Sequence, residues 1–218
     1  MRNFIFATSA LGLAIPAYEF GDSGPQVLIL GGVHGNEIEG TTAAFGLLKH
    51  FSEKFDYKLQ LTLVPAFNID GVINQKRLNG HDVDLNRNLP TKDWNPKTFD
   101  PKYPPGPHPN SEPENLALVK FLDKIKPQFI LSLHSWKPLL NVNGNCMAEA
   151  DILQKITGYE IQEEIGYPTP GCLGTYAGLE RGMPTLTYEI ERDLALDKVL
   201  AIHVPAILKA LKLTEGRK

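Results

Sequence analysis

Four side chains that can bind a metal or move a proton stand directly after apolar segments of the sequence. His34 and Glu37 lie in GGVHGNE, His134 in LSLHSW and Glu189 in LTYEIER. Two imidazoles and one carboxylate form a His₂Glu set that suits zinc and leaves a fourth position open for water. An open position indicates catalysis, and Glu189 would take a proton from that water and deliver it to a leaving group. The sequence therefore predicts one Zn²⁺ held by His34, Glu37 and His134.

The polar segment NIDGVINQKRLNGHDVDLNRNLP adds groups that could bind a substrate. Arg77 and Arg87 carry permanent cationic forks suited to a developing oxyanion or to a carboxylate, and Asn86 adds a neutral donor. The segment belongs to the stretch 68–110, which lacks clear periodicity. Eight of the 17 prolines fall between Pro90 and Pro113. We therefore expect a stiff, functional loop.

Apolar runs alternate with amphipathic segments along the rest of the chain. The runs predict strands at 26–31, 59–65, 128–133 and 184–189, and the amphipathic patterns predict helices at 38–51, 112–124, 148–157 and 196–212. Ser111 and Glu114 are expected to form a capping box for the second helix. The alternation predicts an α/β fold with a mostly parallel or mixed central sheet and helices on both faces. The chemical side chains would meet at the carboxyl ends of the strands, where such sheets bind ligands.

The composition limits the classes of protein that the chain can represent. It has 218 residues, 42% of them hydrophobic, a net charge of -3 and a pI near 6.1. These values predict one globular domain, 1–218. They show no excess of basic residues that could bind the phosphate backbone of a nucleic acid. No segment reaches the ~20 apolar residues that span a bilayer, so no membrane partner is expected. Cys146 and Cys172 are too few for a disulfide framework, although one bridge stays open.

The first twenty residues, MRNFIFATSALGLAIPAYEF, have features of a secretory signal. They combine one early Arg, an apolar stretch and small residues near Ala17. Polar residues, Gly12 and Pro16 interrupt the apolar stretch, and the segment leads straight into the first predicted strand. We expect a cytoplasmic protein. The alternative is a periplasmic protein from which the first ~17 residues are cleaved as a signal.

Taken in order, these motifs resemble the zinc carboxypeptidases of the funnelin or M14 family. That family has an HxxE pair, an Arg ahead of an Asn-Arg pair, a distant His and a terminal Glu. The resemblance implies a carboxypeptidase-like fold of the phosphorylase/hydrolase type. It also implies that Arg77 stabilises the tetrahedral oxyanion, that Asn86 and Arg87 bind the terminal carboxylate of the substrate, and that Glu189 is the general base and acid.

The family also supplies a Tyr hydroxyl near the scissile bond. Tyr167 lies 22 residues before Glu189, similar to the family spacing, and is favoured over Tyr176. NIDG before DVDLNRN, SEPE, LHSWKP, and YPTPG followed by LGTYAG look like the murein peptide amidase branch. That branch implies a small murein peptide with a free carboxylate as substrate, cleaved between γ-D-Glu and meso-diaminopimelate. Gly171 to Tyr176 would line the side-chain pocket and offers no charged partner for diaminopimelate.

Two other classes of function are weighed against this one. A zinc N-acyl amino acid deacylase of the aspartoacylase or succinylglutamate desuccinylase type shares segments like HGNE, DLNR and LHS. NIDG, the complete DVDLNRN and YPTPG favour the peptidase. A zinc-binding or wall-binding module without turnover would have no need of Glu189. The sequence predicts no particular oligomeric state.

Overall fold

Eight strands form one mixed sheet in the computed structural model, which describes residues 1–97 and 100–217. In chain order they are β1 (Arg2–Thr8), β2 (Ala14–Phe20), β3 (Gln26–Leu30), β4 (Gln60–Val64), β5 (Phe129–Trp136), β6 (Leu139–Asn143), β7 (Glu160–Gln162) and β8 (Thr185–Glu191). Their order across the sheet is β1-β2-β4-β3-β5-β8-β6-β7. The central strands β4, β3, β5 and β8 run parallel. The pairs β1–β2, β2–β4 and β6–β8 are antiparallel, so the predicted mixed sheet is confirmed.

Helices pack on both faces of this sheet, as the sequence predicted. They are α1 (Ile38–Glu53), α2 (Ile69–Asn74), α3 (Pro113–Ile125), α4 (Met147–Thr157), α5 (Leu196–Lys198) and α6 (Val204–Thr214). A 3₁₀ turn covers Leu85–Arg87, and π-helical turns cover Gly174–Leu179 and Val199–His203. The four predicted strands and four predicted helices are all present, with their ends displaced by a few residues. Among the described residues no helix has the length and apolarity needed to cross a bilayer.

The central strands are buried on both faces because their side chains alternate between two cores. In β3, Val27 and Ile29 belong to the cluster with α1, α4 and α6, whereas Leu28 and Leu30 belong to the cluster with α3. This explains why β3 reads as a continuous apolar run rather than as an alternating one. The carboxyl end of such a strand is held rigidly from both sides.

The segment weighed as a secretion signal forms β1 and β2 at one edge of the sheet. Ile15 and Ala17 are fully buried, and Phe6 packs against Phe67 and Phe121. The interruptions at Gly12 and Pro16 coincide with the turn and with the second strand of this hairpin.

The predicted capping box at the start of α3 is wrong. The helix begins at Pro113 with Glu112 as N-cap, and no side chain caps it. Ser111 Oγ instead donates to Glu112 Oε1 (2.6 Å), while Glu114 accepts from Ala10 N (2.9 Å). Proline at the first position removes one of the free N–H groups that a cap would satisfy. The carboxylates of Glu112 and Glu114 are therefore available to form hydrogen bonds with neighbouring segments.

Apart from residues 98 and 99, which lie outside the described residues, the stretch 68–110 is mostly irregular, as predicted, although α2 lies within it. Asn88, fully buried, anchors the stretch. Its side-chain Nδ2 donates to Pro105 O (2.8 Å) and Ser111 Oγ (2.9 Å), and its backbone carbonyl oxygen accepts from Asn110 N (2.5 Å). These bonds tie the prolines to the turn that carries Asn86 and Arg87. The loop is therefore held in place by the hydrogen bonds of Asn88.

Candidate metal centre and active site

His34, Glu37 and His134 meet at the carboxyl ends of β3 and β5, all three buried. Glu37 Oε1 lies 2.8 Å from His34 Nδ1, and Glu37 Oε2 lies 2.9 Å from His134 Nδ1. The two Nδ1 atoms are 3.2 Å apart. One donor atom of each residue thus faces a common point.

This arrangement fits a zinc ion. Ligand atoms at about 2.1 Å from a tetrahedral zinc stand ~3.4 Å from one another, close to the separations seen here. Among the described residues this is the one cluster of His, Cys, Asp or Glu that could hold a metal. Two imidazoles and a carboxylate are also the donor set of catalytic zinc sites with an open position.

The first turn of α1 brings Glu37 to His134. A Cβ added at Gly40 would lie 2.7 Å from Leu133 O, so only glycine lets this turn pack so closely on the end of β5. The Ser135 N–H then donates to Glu37 Oε2 (3.2 Å). The HxxE spacing therefore brings Glu37 to His134 because α1 begins in contact with the end of β5.

Asp84 and Ser132 orient the two imidazoles from behind. His34 Nε2 lies 3.0 Å from Asp84 Oδ1, and His134 Nε2 lies 3.0 Å from Ser132 Oγ. These contacts leave Nδ1 of each ring turned toward the cluster, as in metal sites whose ligands are fixed by outer partners. Asp84 was not among the site residues predicted from the sequence. Its signal was the second carboxylate of DVDLNRN, in a segment too polar for the core.

The buried carboxylates and imidazoles of this cluster shift the pKa values of one another. Burial and Arg77 lower the pKa of His34, but Glu37 and Asp84 outweigh them and raise it. Burial opposes ionisation of Glu37, yet the two imidazoles hold the pKa of that carboxyl well below its usual range. The ionised form of Glu37, which is the form that binds a metal, is therefore favoured in the cluster.

Glu189 pairs with His134 across β5 and β8, which places its carboxylate beside the cluster. Its Oε2 is buried and has no hydrogen-bond partner among the described residues. Burial, together with the charge of Glu37, raises the pKa of Glu189 to about 7, against the opposing effect of His134, Arg77 and Arg87. A carboxyl that titrates near neutrality can both take and give a proton.

Arg77 bridges the cluster and its outer partner. Arg77 Nε donates to Asp84 Oδ2 (2.9 Å) and Nη1 donates to Glu37 Oε1 (3.2 Å). Its backbone carbonyl accepts from Asn68 Nδ2 (3.1 Å), which holds the loop after α2 in position. The guanidinium lines the cavity above the metal cluster.

Asn86 and Arg87 lie on the 3₁₀ turn at the other side of this cavity. Asn86 Oδ1 accepts from Leu173 N (2.9 Å), and Arg87 Nη1 donates to Asn86 O (2.7 Å). The Arg87 guanidinium lies over the rings of Tyr103 (5.3 Å) and Tyr167 (6.0 Å). Both side chains are therefore fixed before any ligand binds.

Tyr103 is a second residue that the sequence analysis missed. Its ring lies under both Arg87 and Arg77, 4.8 Å from the Arg77 guanidinium carbon, and faces the ring of Tyr167 at 6.5 Å. An aromatic residue between prolines in a stiff loop was its only signal. The ring sets the spacing of the two guanidinium groups.

The two tyrosines weighed in the sequence lie in different places. Tyr167 is partly exposed, packs edge-on against Trp136 at 5.7 Å and lines the cavity. Burial raises the pKa of its hydroxyl, which stays protonated at neutral pH. Tyr176 is buried under the guanidinium of Arg181, 3.6 Å away, and does not line the cavity.

A neutral pocket opens from the cavity toward β6. Its wall is formed by Asn141, Asn143, Cys172, Gly174 and Thr187. A Cβ at Gly174 would lie 2.1 Å from Asn143 Oδ1, a buried acceptor without a partner among the described residues. These five residues offer hydrogen bonds and are uncharged, and an adjoining cavity that shares Asn141, Asn143 and Cys172 is also lined by Glu163 and Glu164.

The two cysteines are both free thiols, so the bridge left open by the sequence is not formed. Cys146 is buried in the core, and burial raises the pKa of its thiol to about 12. Cys172 lies at the neutral pocket, with Thr175 Oγ1 3.3 Å from its sulfur.

Comparison with known proteins places the chain in a family. It is 31% identical over 209 residues to murein peptide amidase A of Vibrio campbellii, covering 88% of this chain and 79% of that protein. Murein peptide amidase A of Escherichia coli K12 is 28% identical over 194 residues, covering 79% and 75%. The crystal structure of murein-tripeptide amidase MpaA from Escherichia coli O157 superposes with a TM-score of 0.83 at 23% identity, over 97% of this chain and 92% of that one. Residues 2–189 match the zinc carboxypeptidase family, peptidase M14. This chain belongs to the zinc carboxypeptidase family.

Proposed function

We propose that this zinc carboxypeptidase hydrolyses the bond between γ-D-Glu and meso-diaminopimelate in small murein-derived peptides such as L-Ala-γ-D-Glu-meso-diaminopimelate. The observation that carries the proposal is the meeting of the His34–Glu37–His134 cluster, Glu189 and Arg87 in one cavity. The names of the relatives support the substrate. A zinc N-acyl amino acid deacylase is not favoured, because the matched family and these relatives are peptide-cleaving enzymes.

One Zn²⁺ is assigned to His34, Glu37 and His134. A zinc ion held there would supply Lewis-acid polarisation of the scissile carbonyl and would make the attacking water more acidic. Asp84 and Ser132 contact the Nε2 atoms of His34 and His134, which leaves both Nδ1 atoms available to hold the ion.

Glu189 is assigned as general base and then general acid. With a pKa near 7, the carboxylate accepts the proton of the attacking water and later donates it to the nitrogen of the leaving residue. Its unpartnered Oε2 leaves the group free to hydrogen-bond to that water. The low exposure of Glu189 keeps bulk water from competing for the proton.

The arginines are assigned to the substrate. Arg77 donates to the oxyanion that develops on the scissile carbonyl, and it is already oriented by Asp84. Asn86 and Arg87 bind the terminal carboxylate of the leaving residue, whose side chain enters the neutral pocket. The Tyr167 hydroxyl, protonated at neutral pH, donates a hydrogen bond near the scissile bond.

We also propose a domain organisation and a cellular location for the enzyme. The chain is one catalytic domain, 1–218, and acts in the cytoplasm on recycled wall peptides, with neither nucleic acid nor membrane as partner. Intact mass of the protein from its host would show whether the first residues are retained. Loss of about the first 17 residues would move the proposed activity to the periplasm.

The test is a zinc-loaded substrate panel with a matched pair of variants. The murein tripeptide should be cleaved, while N-acetylaspartate and N-succinylglutamate should not, and metal analysis should give one zinc per chain. Glu189→Gln should lower kcat by roughly 10²- to 10⁴-fold with zinc retained, since it removes proton transfer but no ligand. Glu191→Gln, on an exposed residue of the same strand, should keep full activity. Deacylation without peptide cleavage, or a fully active Glu189→Gln, would contradict the proposal.

A further inference from the structure

Arg192 is a third arginine of the cavity, and the mechanism above does not use it. It follows β8 directly, and its backbone N–H donates to Trp136 O (2.9 Å), which continues the pairing with β5. The side chain is exposed and lines the same cavity as Glu189, with Nη1 donating to Ser135 O (3.4 Å). The guanidinium is thus held at the mouth of the site by one weak bond.

The charge of Arg192 is not neutralised by the chain. Arg77 forms salt bridges with Glu37 and Asp84. In contrast, Arg192 forms no salt bridge with any residue in 1–97 or 100–217. Nothing in that part of the chain competes for the remaining guanidinium donors, which are suited to a carboxylate. The cavity can therefore take a second anionic group besides the one at Arg87.

Arg192 and the residues assigned to the leaving residue stand on different elements of the cavity wall. Asn86 contacts Leu173, beside the neutral pocket. The backbone N–H of Arg192 instead donates to Trp136 O, and Arg192 lies three residues beyond Glu189 along the chain, or about 10 Å at the usual rise per residue. Because Asn86 and Arg87 are assigned to the terminal carboxylate of the leaving residue, Arg192 is left for a second anionic group of the substrate.

We propose that Arg192 binds the free α-carboxylate of the γ-linked D-Glu, and so selects γ-linked acyl groups over ordinary peptides. This inference rests on the proposed function. In a γ-linkage the α-carboxylate stays free and is carried by the same residue as the scissile carbonyl, separated from it by a short methylene chain. An ordinary α-linked peptide presents a neutral side chain or amide at that place. An exposed cation in the same cavity as Glu189 distinguishes the two by charge.

The experiment compares three peptides with wild type and Arg192→Gln, both loaded with zinc. They are the murein tripeptide, the same peptide with the D-Glu α-carboxylate converted to a carboxamide, and the peptide with L-Lys in place of diaminopimelate. Wild type should lose roughly tenfold in kcat/KM on amidation, as expected for a partly exposed charge-assisted bond. Arg192→Gln should cleave the free and amidated peptides at rates within about twofold of each other, and its loss on the free peptide should match that of amidation.

Lys137→Gln is the control for a general loss of positive charge. Lys137 lies next to Trp136, with Nζ 5.2 Å from the ring centroid, but does not line the cavity, so this variant should keep the discrimination. The inference is overturned if Arg192→Gln still discriminates against amidation. It is also overturned if the variant loses only the discrimination between diaminopimelate and Lys, because Arg192 would then bind the leaving residue. If zinc-loaded wild type cleaves none of the three peptides, the proposed function itself fails.

Discussion

Replacing Asp84 by Asn is the sharpest test of how the metal cluster is held. Asp84 is fully buried and accepts from His34 Nε2 (3.0 Å), Arg77 Nε (2.9 Å) and Asn86 N (2.9 Å). Asparagine has nearly the same shape but only one acceptor oxygen. If that oxygen continues to accept hydrogen bonds from His34 Nε2 and Asn86 N, the new amide NH₂ group faces the Nε–H group of Arg77, so that two donors oppose each other.

The size of the effect follows from these contacts. Loss of one charge-assisted hydrogen bond, with a donor facing a donor, should reduce the free energy of unfolding by about 2–3 kcal/mol in zinc-free protein. At an m-value of about 2–3 kcal/mol/M, the urea midpoint should fall by about 1 M. Weaker orientation of His34 should lower zinc affinity by roughly 10- to 100-fold.

The contribution of Asp84 to stability should decrease as the pH falls. Burial opposes ionisation of Asp84, but His34 and Arg77 hold the pKa of the carboxyl well below its usual range. Its contribution to stability is therefore complete at pH values above the ordinary pKa of ~3.9 and is lost as the pH falls below that value. The difference in urea midpoint between wild type and Asp84→Asn should shrink from about pH 5 downward.

The measurements are urea unfolding with a chelator present and zinc titration against a competing chelator. Asp82→Asn is the matched control, because Asp82 is exposed and has φ 57°, a conformation that Asn adopts readily. It should behave as wild type. If Asp84→Asn unfolds at the same urea concentration as wild type and binds zinc equally tightly, then Asp84 does not hold the cluster.

Two further predictions concern the pocket and the core. Gly174→Ala would place a Cβ 2.1 Å from Asn143 Oδ1, so kcat/KM for the diaminopimelate peptide should fall roughly tenfold or more, with less effect on a peptide ending in Ala. Equal losses on both peptides would argue against a side-chain pocket there. His203→Phe should destabilise the fold by about 1–3 kcal/mol at pH 7, because the Tyr188 hydroxyl, 2.5 Å from His203 Nδ1, loses its partner. Burial lowers the pKa of His203 to about 4, so wild type loses this stability as the pH falls from 6.5 toward 4, and the difference in urea midpoint should narrow over that window.

Much of the fold could be predicted because its central strands are continuous apolar runs. β3, β4, β5 and β8 are long enough and apolar enough to be recognised, and their carboxyl ends carry His34, His134 and Glu189. The outer strands β1, β2, β6 and β7, two on each side of the sheet, were missed. β1 contains exposed apolar residues such as Ile5, and β7 has only three residues, so neither has a pattern that differs from a loop.

The sequence by itself determined the donor set, because the residue types and their order after apolar runs fix the available chemistry. It could not assign the contacts of the carboxylates. Glu114 reads as half of a capping box but accepts from Ala10 N, over a hundred positions away, and Asp84 reads as one more polar loop residue. Only the tertiary structure decided that Asp84 lies behind His34 and that Arg192 reaches the cavity unpaired. Partners distant in sequence are chosen by packing, and packing depends on the whole fold rather than on any local spacing.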